Sequence, residues 1–529
     1  MENINNTKNT ISRWHNFRIK IIIEGILVGF VAGFLAILYR MALEKAFEFC
    51  KIMYTEKLTN GLAIGAWFVF LILGGYIVGR IIKAEPMASG SGIPQVEGVL
   101  IRKMHTNWFR VIVAKFVGGA LCILGGLSMG REGPSIQMGA AGGQGLSKIL
   151  KRVKLEEKFL MTSGASAGLA AAFNAPLAGV IFALEEVHKN FSPIVMTSAL
   201  AASITADFMS KNFFGMKPML NFRHIQAMPL NYYLYVIVLG VIIGVCGVLF
   251  NKTLIKTQKL YAKSKWLKAE FKPIIPFLIA GVVGLTVPFA LGGGHDVIIA
   301  LDRTNFTLKM VLIILVVKFL FTMISYGSSA PGGIFLPLLA IGALIGVAYG
   351  YILRDLFGFN QIYIENLMIL GMAGYFTAIV KAPITGSVLI TEMTGSFTHL
   401  LPIGLVCLTA YVVSDLLNSK PIYEELLENM LEKAETPTNL ESKTKVILEM
   451  AVCIGSCIEH KMLKDIEWPV DCLVVGIMRG KKEIIPKGNT IVYGGDYLII
   501  LADEHVAAEV RDSLTDLIEC CDTEKHIKQ

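Results

Sequence analysis

The stretch Gly130-Arg131-Glu132-Gly133-Pro134 places a carboxylate between two glycines, with apolar sequence on either side. Burying a carboxylate inside apolar, membrane-length sequence is costly, so such a residue is by default a functional one. Glycines let backbone approach a ligand closely, and Pro134 suits the first turn of a helix, where its missing N–H costs nothing. Glu132 is therefore expected where a half-helix begins, facing bare backbone amides. Those amides and the helix dipole together make an anion site. A carboxylate there can occupy the site when ionised and leave it when protonated. Alone, the same five residues read equally well as a helix start with Glu132 as a dipole-favoured first-turn residue. The surrounding sequence decides between the two.

The chain has 529 residues, of which 54% are hydrophobic and 17% charged, below the roughly 25% charged of soluble domains. That balance describes a polytopic membrane protein and excludes a large soluble enzyme. The 51 glycines fit close helix packing in lipid. Much of the net charge of +8 lies in short basic segments beside apolar runs, where Lys and Arg set orientation, so nucleic acid is not implied. Residues 1–20 are polar and include Lys8, Arg13, Arg18 and Lys20. No cleavable leader is expected there, and the N-terminus is expected to be cytoplasmic. Cys122, Cys246 and Cys407 read as small core residues. Cys453/Cys457 and Cys520/Cys521 lack a second pair at zinc spacing, so no structural metal is expected.

Apolar segments that could cross or enter a membrane fall at 21–38, 62–82, 108–127, 165–184, 193–209, 232–250, 274–291, 311–324, 334–353, 367–379 and 400–417. Several are shorter than the roughly 20 residues of a full span. Broken or re-entrant helices are expected, which lipid tolerates only where protein or a water cavity surrounds them. The basic segment 148–158 reads as a cytoplasmic surface and 252–272 as a basic connector. The run Ala88 to Pro94 is too rich in small residues for an ordinary span.

The chain also repeats itself. Ala175-Pro176-Leu177-Ala178-Gly179 followed by Glu185 matches Ala382-Pro383-Ile384-Thr385-Gly386 followed by Glu392, 207 residues on. Pro134 and Gly139 match Pro337 and Gly342, 203 residues on. Two ordered matches argue for a duplication of about 200 residues, and paired Gly/Pro-interrupted segments point to a transporter binding site. After Tyr423 the composition changes. Residues 424–445 read as a charged linker and 446–517 as a small soluble domain. That domain has a strand at 472–478, a hairpin of 490–493 with 497–501 around Gly494-Gly495-Asp496, and a helix at 504–514. The polar tail covers 518–529.

Four stretches now stand together: Gly90-Ser91-Gly92-Ile93-Pro94, Gly130 to Pro134, Gly332-Gly333-Ile334-Phe335-Leu336-Pro337 and Lys420-Pro421-Ile422-Tyr423. In order and spacing they resemble the signature motifs of the CLC family of chloride channels and chloride/proton antiporters, over roughly residues 15–430. The resemblance implies an all-α polytopic membrane domain at 1–430, with two inverted-repeat halves of broken helices at about 17–210 and 230–425. It also implies a homodimer with one anion pathway per subunit, working on chloride and protons in a cell membrane. Ser91, Ile334, Phe335 and Tyr423 match the positions that line the central anion site. Glu132 matches the external gate that competes with the anion and carries a proton. Glu186 matches the internal proton-transfer glutamate of the antiporters, while Glu185, like its repeat mate Glu392, is taken as structural. Serine at position 91 fits chloride-selective members.

Antiport is the leading expectation; a passive channel gated by Glu132 and a membrane sensor remain open. An enzyme is not expected, since no nucleophile–base or metal-ligand cluster is evident. Residues 463–498 resemble the RCK-C (TrkA-C) domain of potassium-transport regulators, which implies a small α+β, cytoplasmic, dimerising module after a linker at 431–445. Some such domains bind cyclic di-AMP, so the resemblance implies that nucleotide as a regulatory ligand; otherwise no cofactor is expected.

Overall fold

The computed structural model describes residues 2–518 apart from 190, 221, 223–225, 265–267, 305, 435–444, 454, 470–471, 481 and 504–506. The chain divides into two units, Met1–Ala434 and Glu435–Gln529. The first is built from helices. One half comprises α1 (Glu2–Ile52), α2 (Gly61–Ala84), α3 (Ile93–Leu100), α4 (Trp108–Leu124), α5 (Glu132–Ile149), α6 (Lys154–Phe173), α7 (Pro176–Phe182) and α8 (Pro193–Phe214). The second comprises α9 (Tyr233–Lys263), α10 (Ile274–Thr286), α11 (His295–Arg303), α12 (Leu308–Gly327), α13 (Phe335–Phe357), α14 (Ile364–Val380), α15 (Pro383–Thr394) and α16 (Leu400–Leu416); α17 (Ile422–Ala434) follows. Among the described residues nine helical stretches are long and apolar enough to cross a membrane. The pieces α3, α7, α11 and α15, of 8, 7, 9 and 12 residues, are too short to do so.

The two halves match element for element, and their contacts are reciprocal. Gly130 N–H donates to the Gly333 carbonyl at 2.7 Å, and Gly333 N–H donates back to Gly130 at 2.8 Å. Glu185 accepts from the amides of Ile384 (3.3 Å) and Thr385 (2.8 Å), while Glu392 accepts from those of Leu177 (3.2 Å) and Ala178 (2.8 Å). Each glutamate thus caps the N-terminus of the other half's short helix. Such swapped pairs are those of a local two-fold relation between the halves. The closest packing, α5 on α6 and α13 on α14, obeys the same relation. A Cβ at Gly139 would run into the Gly164 carbonyl, and one at Gly342 into the Gly371 carbonyl. Glycine is required at these crossings because the backbones touch.

Three expectations need correction here. The apolar run 165–184 is not one segment. Asn174, at φ 55°, ends α6, and Pro176 starts α7, since a left-handed residue followed by X-Pro cannot continue a helix. The basic connector 252–272 is helical as far as Lys263. The linker 424–445 is helical through Ala434, and its residues 435–444 lie outside the described ones. Hydropathy reports membrane depth, and a helix whose polar end leaves the apolar layer remains a helix.

The second unit carries an antiparallel sheet in the order β1-β4-β2-β3, with β1 at Lys445–Ala451, β2 at Cys472–Arg479, β3 at Lys482–Ile484 and β4 at Tyr497–Asp503; α18 (Ala507–Ile518) follows. Ile477, Leu498, Ile500, Val510 and Leu514 belong to its apolar core. The expected hairpin around Gly494-Gly495-Asp496 does not form. β4 pairs with β1 and β2, while residues 490–492 bond to 460–463 through Leu463 N–H to Thr490 and His460 N–H to Val492. Asp496 explains the difference. Its carboxylate, 1% exposed, accepts from Arg479 Nε and Nη2 at 2.8 Å each and from Tyr493 N–H at 3.0 Å, which turns the chain away from a hairpin path. Asp496→Asn removes a bidentate partner from an Arg479 side chain that is 38% exposed. A loss of about 2 kcal/mol in the unfolding free energy of this unit is expected, because breaking a fully buried pair costs about 3–5. Thermal unfolding of the full chain followed at Trp468 checks it.

Candidate anion and proton site

The site lies where the Gly130–Gly333 bridge brings the starts of α5 and α13 together. Glu132 is the first residue of α5 and is fully buried. Its carboxylate faces the backbone amides of Glu132, Leu336 and Arg131, yet neither oxygen closes a hydrogen bond. Two helix N-termini, one from each half, therefore point their unpaired N–H groups at one acid. Phe335 opens α13 with Ile334 as the residue before it, and both are buried. The Phe335 ring is fixed by Phe376, Phe173 and Phe182, with centroids 4.6, 5.2 and 6.0 Å away. This clamp holds the start of α13 in place.

Ser91 sits between two left-handed glycines, Gly90 (φ 56°) and Gly92 (φ 97°), ahead of α3. Its hydroxyl is buried and has no partner, as is the hydroxyl of Tyr423 on α17. Glu186, Glu132 and Glu97 all lie within electrostatic reach of the Tyr423 hydroxyl. Two donors without partners and two amide-lined helix starts thus share one buried region, which is the donor set a bare anion needs. Gly133 completes it. A Cβ there would fall on the Ser91 hydroxyl and 2.8 Å from the Ser91 carbonyl oxygen. Gly133→Ala is expected to cut chloride flux about tenfold, since overpacking costs about 1–3 kcal/mol. Chloride efflux from liposomes checks it, with size-exclusion profiles to confirm folding.

Cavities approach from two sides. One of about 450 Å³ is lined by Gly130, Arg131 and Leu336 together with Arg40, Glu44 and His295. The other, about 300 Å³, is lined by Gly90, Ser91, Tyr326, Gln258 and Lys272. Glu132, Phe335 and Tyr423 line neither and lie buried between them.

Glu186 is 4% exposed, in the π-helical turn Ala183–Val187 after α7, and its Oε1 has no partner. The structure places it beside Glu97 and Lys189. Lys189 Nζ lies 3.8 Å from Glu97 and 3.5 Å from the half-exposed Glu424. Glu97, 2% exposed with both oxygens unpartnered, was not singled out in the sequence, although an acid in an apolar setting was a readable signal. Lys115 and Lys318, fully buried and 203 residues apart, were also missed. Lys115 Nζ donates to the carbonyls of Ala88 (3.0 Å), Ser89 (3.3 Å) and Gly90 (2.7 Å), and Lys318 to Ala290 (3.1 Å) and Gly292 (2.6 Å). Each lysine holds the loop that launches a short helix, and Lys115 thereby positions Ser91.

Residues 70–415 match the model of the voltage gated chloride channel family. The chain belongs to the CLC family. Residues 447–515 match the TrkA-C domain. The chain is 33% identical over 429 residues to the H(+)/Cl(-) exchange transporter ClcA of Yersinia pseudotuberculosis, covering 78% of this chain and 88% of that one. It is 32% identical over 442 residues to the ClcA of Citrobacter koseri, covering 80% and 92%. Among solved structures it resembles a slow cyanobacterial Cl-/H+ antiporter, with a TM-score of 0.73 at 32% identity over 78% of this chain and 98% of that one. It also resembles a CLC-type fluoride/proton antiporter, with a TM-score of 0.64 at 25% identity over 75% and 95%. The CLC fold agrees with the architecture read from the four motifs, and the separate sheet unit with the TrkA-C resemblance of the C-terminal residues.

Proposed function

We propose that this CLC protein exchanges chloride for protons across a cell membrane, with Glu132 as both gate and proton carrier. One observation carries the reading: a fully buried carboxylate with no hydrogen-bond partner, aimed at the amides of two helix starts and lying between two cavities. Ionised, Glu132 competes for the amides that an anion would use. Protonated, it has no charge for the dipoles to hold, and chloride takes its place among Ser91, Tyr423 and the N–H groups of Ile334 and Phe335. No full positive charge touches the ion, so binding is firm enough to select and weak enough to release. Glu186 supplies the proton from the other side. It lies off the Ser91 cavity, next to a group that reaches solvent through Lys189 and Glu424, so protons and chloride arrive by separate routes. The ClcA relatives are named H(+)/Cl(-) exchange transporters and the cyanobacterial structure is a Cl-/H+ antiporter, which supports antiport over a passive channel.

The cavity at Ser91 faces the cytoplasm in this reading, because the basic region 252–272 contributes Gln258 and Lys272 to its wall. Both termini are then cytoplasmic. The homodimer would form on the exposed apolar residues of α7, α8, α15 and α16, such as Leu177, Phe208, Ile384 and Leu408; Leu177 and Ile384 are repeat mates. The TrkA-C unit would dimerise and take cyclic di-AMP, and saturable binding of that nucleotide by the full chain would support this. The deciding experiment for transport is proton movement driven by a chloride gradient in liposomes. Uphill proton flux is the expected result, and chloride flux with no proton movement would make the protein a channel.

A further inference from the structure

On the first unit, the loop after α3, the end of α5 and the start of α6 enclose a cavity of about 250 Å³ walled by Arg102, His105, Lys148, Lys154, Lys158 and Gln144. None of these residues belongs to the proposed transport site. Among the described residues no ion pair includes Arg102, Lys148, Lys154 or Lys158, whereas their neighbours Lys20 and Arg152 are paired with Glu156 and Glu24. Glu157, the acid in the wall, accepts from Gln144 Nε2 at 3.0 Å. Lys154 and Lys158 stand one turn apart on the first turns of α6. Like charges at that spacing repel, and the positive end of the helix dipole adds to the cost. A strong anion would relieve both. Gln144 is 5% exposed, lines the cavity, and its Oε1 has no partner, so a hydroxyl beside that anion also has an acceptor waiting.

The surroundings decide what carries the anion. Ile101, Ile149 and Val153 are the chain neighbours of the lining residues Arg102, Lys148 and Lys154 and are 50%, 70% and 64% exposed. Trp108 packs over Gly145, and its neighbour Phe109 is 59% exposed, so an aromatic pair lies at the same level. Exposed aliphatics, an aromatic pair and clustered cations together mark the headgroup layer of a bilayer.

We infer that this cavity binds the phosphate of an anionic lipid headgroup, with hydroxyl-bearing glycerol against Gln144 and the acyl chains along Ile101, Ile149 and Val153. Val99 and Leu100, the last residues of α3, also line it, and Met104 lines both this cavity and the one that reaches Ser91. A bound headgroup therefore steadies the helix that follows Ser91.

The test is native mass spectrometry of the full chain released from vesicles of equimolar phosphatidylcholine and phosphatidylglycerol. The parent should retain phosphatidylglycerol, and the triple variant Lys148→Ala, Lys154→Ala, Lys158→Ala should retain it about a hundredfold less, each of the three cations near an anionic surface being worth about fivefold. The variant Lys252→Ala, Lys256→Ala, Lys259→Ala loses the same charge elsewhere and should behave as the parent. Equal retention in all three, or equal loss in both variants, overturns the inference. A second measurement needs no variant. Phosphatidylglycerol vesicles, unlike phosphatidylcholine vesicles, should shield Lys148, Lys154 and Lys158 of the parent from acylation. Equal shielding by inorganic phosphate in detergent would assign the cavity to a free phosphate and overturn the lipid.

Discussion

Glu132→Gln is expected to transport chloride while its proton flux falls by about a hundredfold or more, the span that losing one proton-transferring side chain covers. Glutamine keeps the size and the buried position but can neither ionise nor carry a proton. At 0% exposure an ionised carboxylate faces a desolvation cost of several kcal/mol. A helix start returns about 0.3–2 kcal/mol of this. One helix end would therefore not hold the ionised form. The Arg131 guanidinium, with Nε 4.0 Å from Glu132 Oε1, and two starts converging from opposite halves, with amides of Arg131, Glu132 and Leu336 facing the acid, bring the terms close to balance. In the proposed cycle, that near-balance lets a single protonation move the side chain out of the anion site. Glutamine resembles the protonated form permanently, so the pathway stays open and chloride flux loses its dependence on pH. Paired chloride-electrode and pH-electrode recordings on liposomes check both halves of the expectation. A variant that still pumps protons uphill would remove Glu132 from the proton route.

The motifs that make this site were legible because each is local. Gly-Arg-Glu-Gly-Pro, Gly-Ser-Gly-Ile-Pro and Gly-Gly-Ile-Phe-Leu-Pro each put helix-start chemistry within six residues, and the Ala-Pro-x-x-Gly repeat with its trailing glutamate exposed the duplication. What the duplication does was not legible. That Glu185 caps the 384–385 amides while Glu392 caps 177–178 is a contact between halves, and no run of residues reports it. Lys115 and Lys318 sit at the repeat spacing in apolar segments and were legible in principle. Their targets, carbonyls some 25 residues upstream, were not. In the sheet unit the turn residues around Gly495 gave the turn correctly and the pairing wrongly. Strand partnership there is set by Asp496 gripping Arg479, a contact 17 residues apart. Glu97 is the instructive miss: the acid was visible, but only the fold brings Lys189 to it.

That miss bears on the proton route. Glu186→Gln is expected to lower proton flux about a hundredfold while chloride flux stays within about twofold of the parent. The split follows from placement. Glu186 lines neither cavity, so removing its charge leaves the anion donors Ser91, Ile334 and Phe335 untouched. Glu97 shares the same Lys189 and is also buried with both oxygens unpartnered. A lone cation beside two buried acids cannot satisfy both, so the two acids are expected to titrate as a pair. Glu97→Gln is therefore expected to cut proton flux less, by about tenfold, because Glu186 then holds Lys189 alone and takes up a proton less readily. Glu424, 45% exposed at the outer end of the group, should change the rate little as Glu424→Gln, since water can replace it. If instead Glu97→Gln abolished coupling and Glu186→Gln spared it, the roles would be exchanged: Glu97 would hand the proton onward, and Glu186 would set the charge that Lys189 feels.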